Sequence, residues 1–342
     1  MKKTLVALAA AAVVTGAMAD VTISGFIDQA VQTTSTTLAA GTKSNTNSVG
    51  NNLSGQDQLS FNASEELGEG MAAYATLNFQ PRASGSVTGT LNDVGSGVGI
   101  KGAFGNVFVG YAYDQVFLTM AAADVTGFGA TNTVGSVWAS TNGVGANAGS
   151  FVYTLPTLTN GLAITVEQAY AGVATSVGDS FGFGISYTVG DLYVKFASTQ
   201  VKTSSGTTNF ATTDGAAVAT SNSFDGSLAT YQAIAATYDL GTAKLYYGKQ
   251  QMTVNNAGDV AENKYTAGVS VPFGAFSLGY GRSSAQFTNA SGTKLNEINS
   301  DAFVVKYSLS KRTGVYVKAA KSTTASTSAS ISNTSLGLTH SF

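Results

Sequence analysis

From Val21 to Phe342 the chain alternates large apolar residues with small or polar ones, with a period of two. In 180–187 Phe181, Phe183, Ile185 and Tyr187 fall on one face, with Ser180, Gly182, Gly184 and Ser186 on the other. In 264–271 Tyr265, Ala267, Val269 and Val271 oppose Lys264, Thr266, Gly268 and Ser270. This is the signature of strands with two unlike faces, and helical periodicity is nearly absent. Short connections at 67–70, 104–106, 189–191, 239–241, 272–274 and 310–313 alternate with long Ser/Thr/Asn/Gly stretches. The long ones run over 33–54, 82–97, 114–149, 171–178, 199–226, 251–262, 282–300 and 322–332. A soluble sandwich also alternates. Short turns at one end and long loops at the other instead predict an all-β, transmembrane antiparallel β-barrel of about sixteen strands.

Lipid offers no hydrogen-bond partners, so the sheet must close on itself. An even strand number brings both termini to one rim, which predicts pairing of a first strand near 21–31 with a last near 335–342. The start of the chain fits export. Lys2 and Lys3, the apolar run 5–14 and Ala17-Met18-Ala19 read as a secretory leader over 1–19, cleaved before Asp20. The run is about half of what a membrane-spanning helix needs. One domain over 20–342 is expected.

Composition narrows the function. Seventeen Lys+Arg against nineteen Asp+Glu gives a net charge of −2, without the basic face of a nucleic-acid binder. Charged residues make up 11%, below the usual globular share. With no cysteine and one histidine, thiol chemistry and transition-metal sites are excluded, and no cofactor is expected. His340 falls on the outward face of the last strand, which leaves no general base for an outer-membrane hydrolase.

Several stretches resemble the general porins of β-proteobacteria and neisserias. These are Val21-Thr22-Ile23-Ser24-Gly25-Phe26-Ile27-Asp28, the turn Ser64-Glu65-Glu66-Leu67-Gly68, Lys101-Gly102-Ala103-Phe104-Gly105-Asn106-Val107, Tyr307-Ser308-Leu309-Ser310-Lys311-Arg312-Thr313-Gly314 and the terminal Gly337-Leu338-Thr339-His340-Ser341-Phe342. They occur in order across the chain. The alternating end Leu336, Leu338, His340, Phe342 resembles the assembly signal read by the barrel-assembly machinery. The resemblance implies a homotrimer in outer-membrane lipid, passing small hydrophilic solutes and ions through channels narrowed by a third loop, here 114–149. Such a loop carries acids facing a basic wall, and Asp114 and Asp124 match the acidic side. The basic side departs from the family: Gln58, Asn62, Ala72, Tyr111 and Val152 stand where Arg or Lys is frequent.

Face parity then assigns candidates for the channel wall. Lys101, Lys195, Lys244, Lys264, Lys306 and Lys318 are expected inward, with Asp28 and Glu167 as the principal inward acids. A charge facing lipid at the midplane costs about 2–4 kcal/mol, which favours this placement or one at a rim. Weak selectivity with a slight anion tilt is expected from the lysines. Inward aromatics Phe26, Tyr74, Tyr193, Tyr246 and Tyr316 are scattered, and Tyr153, Tyr187, Tyr238, Tyr265, Tyr280 and Tyr307 suit the interfacial girdles. A plugged or adhesive barrel and a solute-specific porin are the alternatives.

Overall fold

The computed structural model describes residues 20–51, 54–81, 92–93, 95–127, 146–170, 179–202, 206–207, 210–211, 217–218, 223–224, 228–254, 261–288 and 291–342. The expected leader, and 128–145 of the expected loop 114–149, lie outside the described residues. The strands are β1 (Asp20–Thr37), β2 (Lys43–Asn51 and Gln58–Gly68), β3 (Met71–Gln80), β4 (Asn92–Asp93 and Gly97–Gly102) and β5 (Gly105–Tyr113). Helix α1 (Gln115–Ala122) follows, then β6 (Ala146–Thr154), β7 (Leu162–Ala169), β8 (Ser180–Val189) and β9 (Leu192–Lys202). The barrel ends with β10 (Leu228–Asp239), β11 (Lys244–Val254), β12 (Ala261–Phe273), β13 (Phe276–Thr288), β14 (Lys294–Ser308), β15 (Thr313–Thr324) and β16 (Ser330–Ser341). Between β9 and β10 two small ladders pair Gly206–Thr207 with Ser223–Phe224 and Phe210–Ala211 with Ala217–Val218.

Each barrel strand pairs antiparallel with its sequence neighbours, and β1 pairs with β16 from Phe26↔Ser341 to Thr37↔Ser330. Two strands are each built from two segments, so eighteen segments make a closed barrel of sixteen strands. The other edge of β1 holds both segments of β2: Gln29–Thr37 pairs with 43–51, and Asp20–Phe26 with 58–64. Between these segments, at 54–57, the chain steps inward, with Ser54 and Asp57 buried.

Several strands run further than the polar sequence suggested. β1 and β2 extend into 33–54, β13 and β14 into 282–300, and β15 and β16 into 322–332, while β6 begins at Ala146. These extensions are mostly polar, with isolated inward apolar residues such as Phe287 and Ile298, so they give little period-two signal, yet antiparallel pairing satisfies their backbone as well as water does.

The outward faces carry the apolar belt. Val21, Ile23, Phe181, Ile185, Leu245, Val271, Leu278, Phe303, Val317, Leu336 and Leu338 are all exposed. Tyr187, Tyr238 and Tyr307 are exposed outside near strand ends, where amphipathic rings favour the interface, and Tyr265 and Tyr280 are exposed outside further along their strands. The terminal strand is latched at its end. The backbone N–H of Gly25 donates to Phe342 O at 2.9 Å, and that of Phe342 donates to Gly25 O at 3.0 Å. The Phe342 ring lies directly over Gly25, where a Cβ would come within 2.2 Å of it.

Candidate functional site

The interior is organised by the segment that leaves β5. Asp114 caps α1: its Oδ1 accepts the backbone N–H of Val116 at 2.7 Å and of Phe117 at 3.3 Å. Its Oδ2 accepts the hydroxyl of Thr199, on the inner face of β9, at 2.7 Å. One carboxylate thus starts the helix and ties it to the wall. Burial pushes the Asp114 carboxyl above the usual range, against the lowering effect of the Thr199, Val116 and Phe117 bonds and of Lys195. The Lys195 ammonium donates to Gln115 Oε1 at 3.2 Å, and Glu167 accepts the Ser150 hydroxyl at 3.2 Å beside them.

Past α1 the chain runs along the inner wall to a second anchor. Asp124 Oδ1 accepts both the backbone N–H and the hydroxyl of Thr126 at 2.8 Å, closing an Asx-type turn. Lys306 on β14 and Lys318 on β15 lie within electrostatic reach of this carboxylate, and burial again raises it. Small residues let the segment sit close. A Cβ on Gly248 of β11 would stand 2.7 Å from Ala123 Cβ, and one on Gly268 of β12 would stand 2.6 Å from Val125 Cγ1. Gly127 is in the left-handed region at φ 74°, where a Cβ would be 2.3 Å from Ser54 O.

Above α1 the lumen holds an apolar cluster. Val116 and Met120 pack with Ala197, Val201, Tyr231, Met252, Phe287 and Ile298 from the inner faces of β9, β10, β11, β13 and β14. Within it Lys264 and Glu262, two apart on the inner face of β12, pair at 2.9 Å with side-chain exposures of 0% and 1%. Their neighbours in register are Met252 and Phe287 beside Glu262, and Gln250 and Ala285 beside Lys264.

The inward step in β2 has its own clamp. Asp28 Oδ2 accepts the backbone N–H of Ser54 at 2.5 Å and of Gly55 at 3.1 Å, and its Oδ1 accepts the Tyr316 hydroxyl at 2.7 Å. Asp57 answers by accepting the Asp28 N–H at 2.6 Å and the Gln29 amide at 3.2 Å.

The sequence-derived candidates therefore separate. Asp114, Glu167 and Lys195 form one group, and Asp28, Asp124, Lys306 and Lys318 form a second. Lys264 has the inward parity expected of it but no exposed side chain, because the apolar cluster covers it; it is a buried ion-pair member rather than a channel-wall cation. Asp28 is likewise fully buried and acts as a clamp. Lys101 and Lys244 sit beside the short turns, and neither makes an ion pair among the described residues. Leu336, Leu338 and Phe342 face outward, and His340 bonds Thr313 at 2.9 Å on the same face.

Asp57, Thr199, Gln115 and Glu262 were missed by sequence reasoning. Glu262 had a signal, since it shares the parity of Lys264. Asp57 and Gln115 had none, because they lie in stretches whose conformation no periodicity reports.

Among the described residues, the wall opposite α1 carries neutral polar side chains at mid-height. Asn62 and Thr76 bond each other at 2.8 Å, Gln58 bonds Ser60 at 2.9 Å, and Asn78 bonds Ser96 and the Gly95 carbonyl.

A closed sixteen-stranded barrel with an internal loop segment, a polar inner face and an apolar belt defines a channel-forming outer-membrane protein. The family model for Gram-negative porins matches residues 4–327, and the chain belongs to that family. It is 28% identical over 201 residues to the major outer membrane protein P.IB of Neisseria gonorrhoeae, a stretch covering 58% of this chain and 56% of that protein. The chain thus aligns with little more than half the length of this curated relative. Among solved structures, the anion-selective porin from Comamonas acidovorans superposes with a TM-score of 0.76 at 20% identity, covering 95% of this chain and all of that one. OmpT of Vibrio cholerae, in a trimer form, superposes at 0.71 with 14% identity, over 95% of this chain and 99% of that one. At these identities the likeness is one of fold.

Proposed function

We propose that this chain forms a water-filled channel in the outer membrane for passive diffusion of small hydrophilic solutes and ions, with weak charge selectivity. The segment beginning at Asp114 serves as the constriction. The observation that carries the reading is the fate of that loop's charges. Asp114 and Asp124 are the only ionisable side chains between 114 and 149, and both are buried in anchoring contacts. The lysines nearest them, Lys195, Lys306 and Lys318, are partly or fully buried and within electrostatic reach of carboxylates. The wall across from the loop is built of amides and hydroxyls. Little fixed charge is left to sort ions by sign.

The cations that retain influence are Lys101 and Lys244 beside the short turns, which tilt the channel slightly toward anions. A salt gradient across a planar bilayer tests this through the zero-current potential. A small anion-side potential that falls toward zero in Lys101→Gln/Lys244→Gln is expected, and more so at low salt, where charges are less screened. A clear cation-side potential in the unaltered protein would contradict it.

A homotrimer is the assembly proposed. On the outer face of β2–β5, small and branched side chains including Ala63, Ala73, Ala75, Val98 and Val109 line an apolar groove of about 640 Å³, a surface suited to packing against another copy. The outward alternation ending in Phe342 is proposed as the feature that the barrel-assembly machinery reads.

A further inference from the structure

We infer that the uncharged wall carries a binding platform for neutral polyhydroxylated solutes of the pyranose-sugar class, formed by Tyr74 and Phe108. The inference rests on the reading of the chain as an open channel. Tyr74 on β3 and Phe108 on β5 both face inward and are in register with Gly99 of β4, which lies between them. From opposite sides their rings reach over β4. A Cβ on Gly99 would stand 2.3 Å from Tyr74 Cζ, and one on Gly97 would stand 2.5 Å from Phe108 Cζ. Two glycines two residues apart on one strand thus floor two neighbouring rings.

The ring geometry matches. The centroids are 6.3 Å apart and the planes differ by 17°. That spacing equals the advance of about two strand residues and is far wider than face-to-face contact. The rings therefore lie side by side along β4, nearly coplanar, each with one face against the wall and the other toward the lumen. Both side chains are half-buried, which leaves area for a ligand.

The surroundings select the ligand. The Tyr74 hydroxyl donates to Asn106 Oδ1 at 2.9 Å, which fixes the ring's tilt. The Asn62–Thr76 pair borders the platform on the side away from the short turns, offering amide and hydroxyl groups. Flat apolar faces beside neutral donors and acceptors suit a sugar, which presents C–H groups on its ring face and hydroxyls at its edge. Covering a glycine with an aromatic ring also stabilises a sheet by itself. The experiment must therefore read something packing alone would not give.

Single-channel current is recorded in a planar bilayer with maltotriose on one side, and glycerol adjusted to equal viscosity as control. Transient interruptions that scale with maltotriose and are absent in glycerol are expected. Tyr74→Leu/Phe108→Leu, which keeps bulk over the glycines, should weaken the sugar block about tenfold while leaving open conductance in salt unchanged. Tyr74→Phe, which keeps the ring face, should retain most of the block. Should the double variant not fold, each single leucine variant is expected to show a partial loss. Equal responses to maltotriose and glycerol, or an unchanged block in the leucine variants, would overturn the platform while leaving the channel intact. Absence of any conductance step would overturn the channel reading, and the platform with it.

Discussion

At the scale of single residues, the carboxylates inside this barrel serve as fasteners. Asp114 receives two helix N–H groups and the Thr199 hydroxyl, and Asp28 holds the inward step of β2 against Tyr316. Asp114→Ala should destabilise the docked segment by about 1 kcal/mol, the usual loss of a helix cap, and should appear as increased open-channel noise. Asp114→Asn keeps an acceptor and should stay quiet. The pH dependence follows from the direction of the shift. Because burial raises the Asp114 carboxyl, the docked state holds the proton more tightly than the free one. Docking is therefore strengthened as pH falls from the raised value toward the ordinary 3.8, and that advantage is lost as pH rises back through the raised value. Noise is expected to fall between neutral and mildly acid pH in the unaltered protein, with a flatter profile in Asp114→Asn. Much of this was legible in sequence only as parity. Lys195 and Glu167 could be placed inward, but that Thr199 meets Asp114 depends on how the loop folds back, which period-two patterning cannot convey.

At the scale of elements, α1 and its continuation to Gly127 lie in a track of small residues. Gly248 and Gly268 keep the inner faces of β11 and β12 low where Ala123 and Val125 approach. Filling that track should lift the segment into the lumen. Gly268→Val brings side-chain atoms into Val125 and is expected to cost about 1–3 kcal/mol of docking by overpacking, with a measurably smaller conductance. An unchanged conductance would show that the segment does not narrow the path. The strands themselves were legible wherever one face met lipid, as in β8 and β12, where Phe181, Ile185, Tyr265 and Val271 mark the outward side. They were not legible in the extensions of β1 and β2, where both faces are polar, or of β13 and β14, where inward Ala285, Phe287 and Ile298 are too few among polar residues to set a period. The helix was also missed, since eight residues between Asp114 and Ala123 give too short a pattern to stand out against a loop.

At the scale of the whole molecule, closure and charge are the two facts that matter. Closure follows from the β1–β16 register and the Phe342 latch over Gly25, and the sequence anticipated it from lipid's lack of hydrogen-bond partners and an even strand number. For charge, sequence parity gave weak selectivity with a slight anion tilt from inward lysines. It could not tell that Lys264 is enclosed with Glu262, or that Lys195, Lys306 and Lys318 come within electrostatic reach of carboxylates that the fold brings from distant positions. Such pairings depend on long-range register. On the proposed function, the passage is weakly charged and rich in amides and hydroxyls, beside a segment over 114–127 whose two acids are buried.

The most direct test of that picture is the step conductance of the purified, folded protein in a planar bilayer. Discrete, long-lived ohmic steps that scale with bulk salt conductivity are predicted for an open, weakly charged channel. Protein that inserts and resists denaturation as a folded barrel, yet gives no steps, would show that the lumen is plugged and would contradict the account.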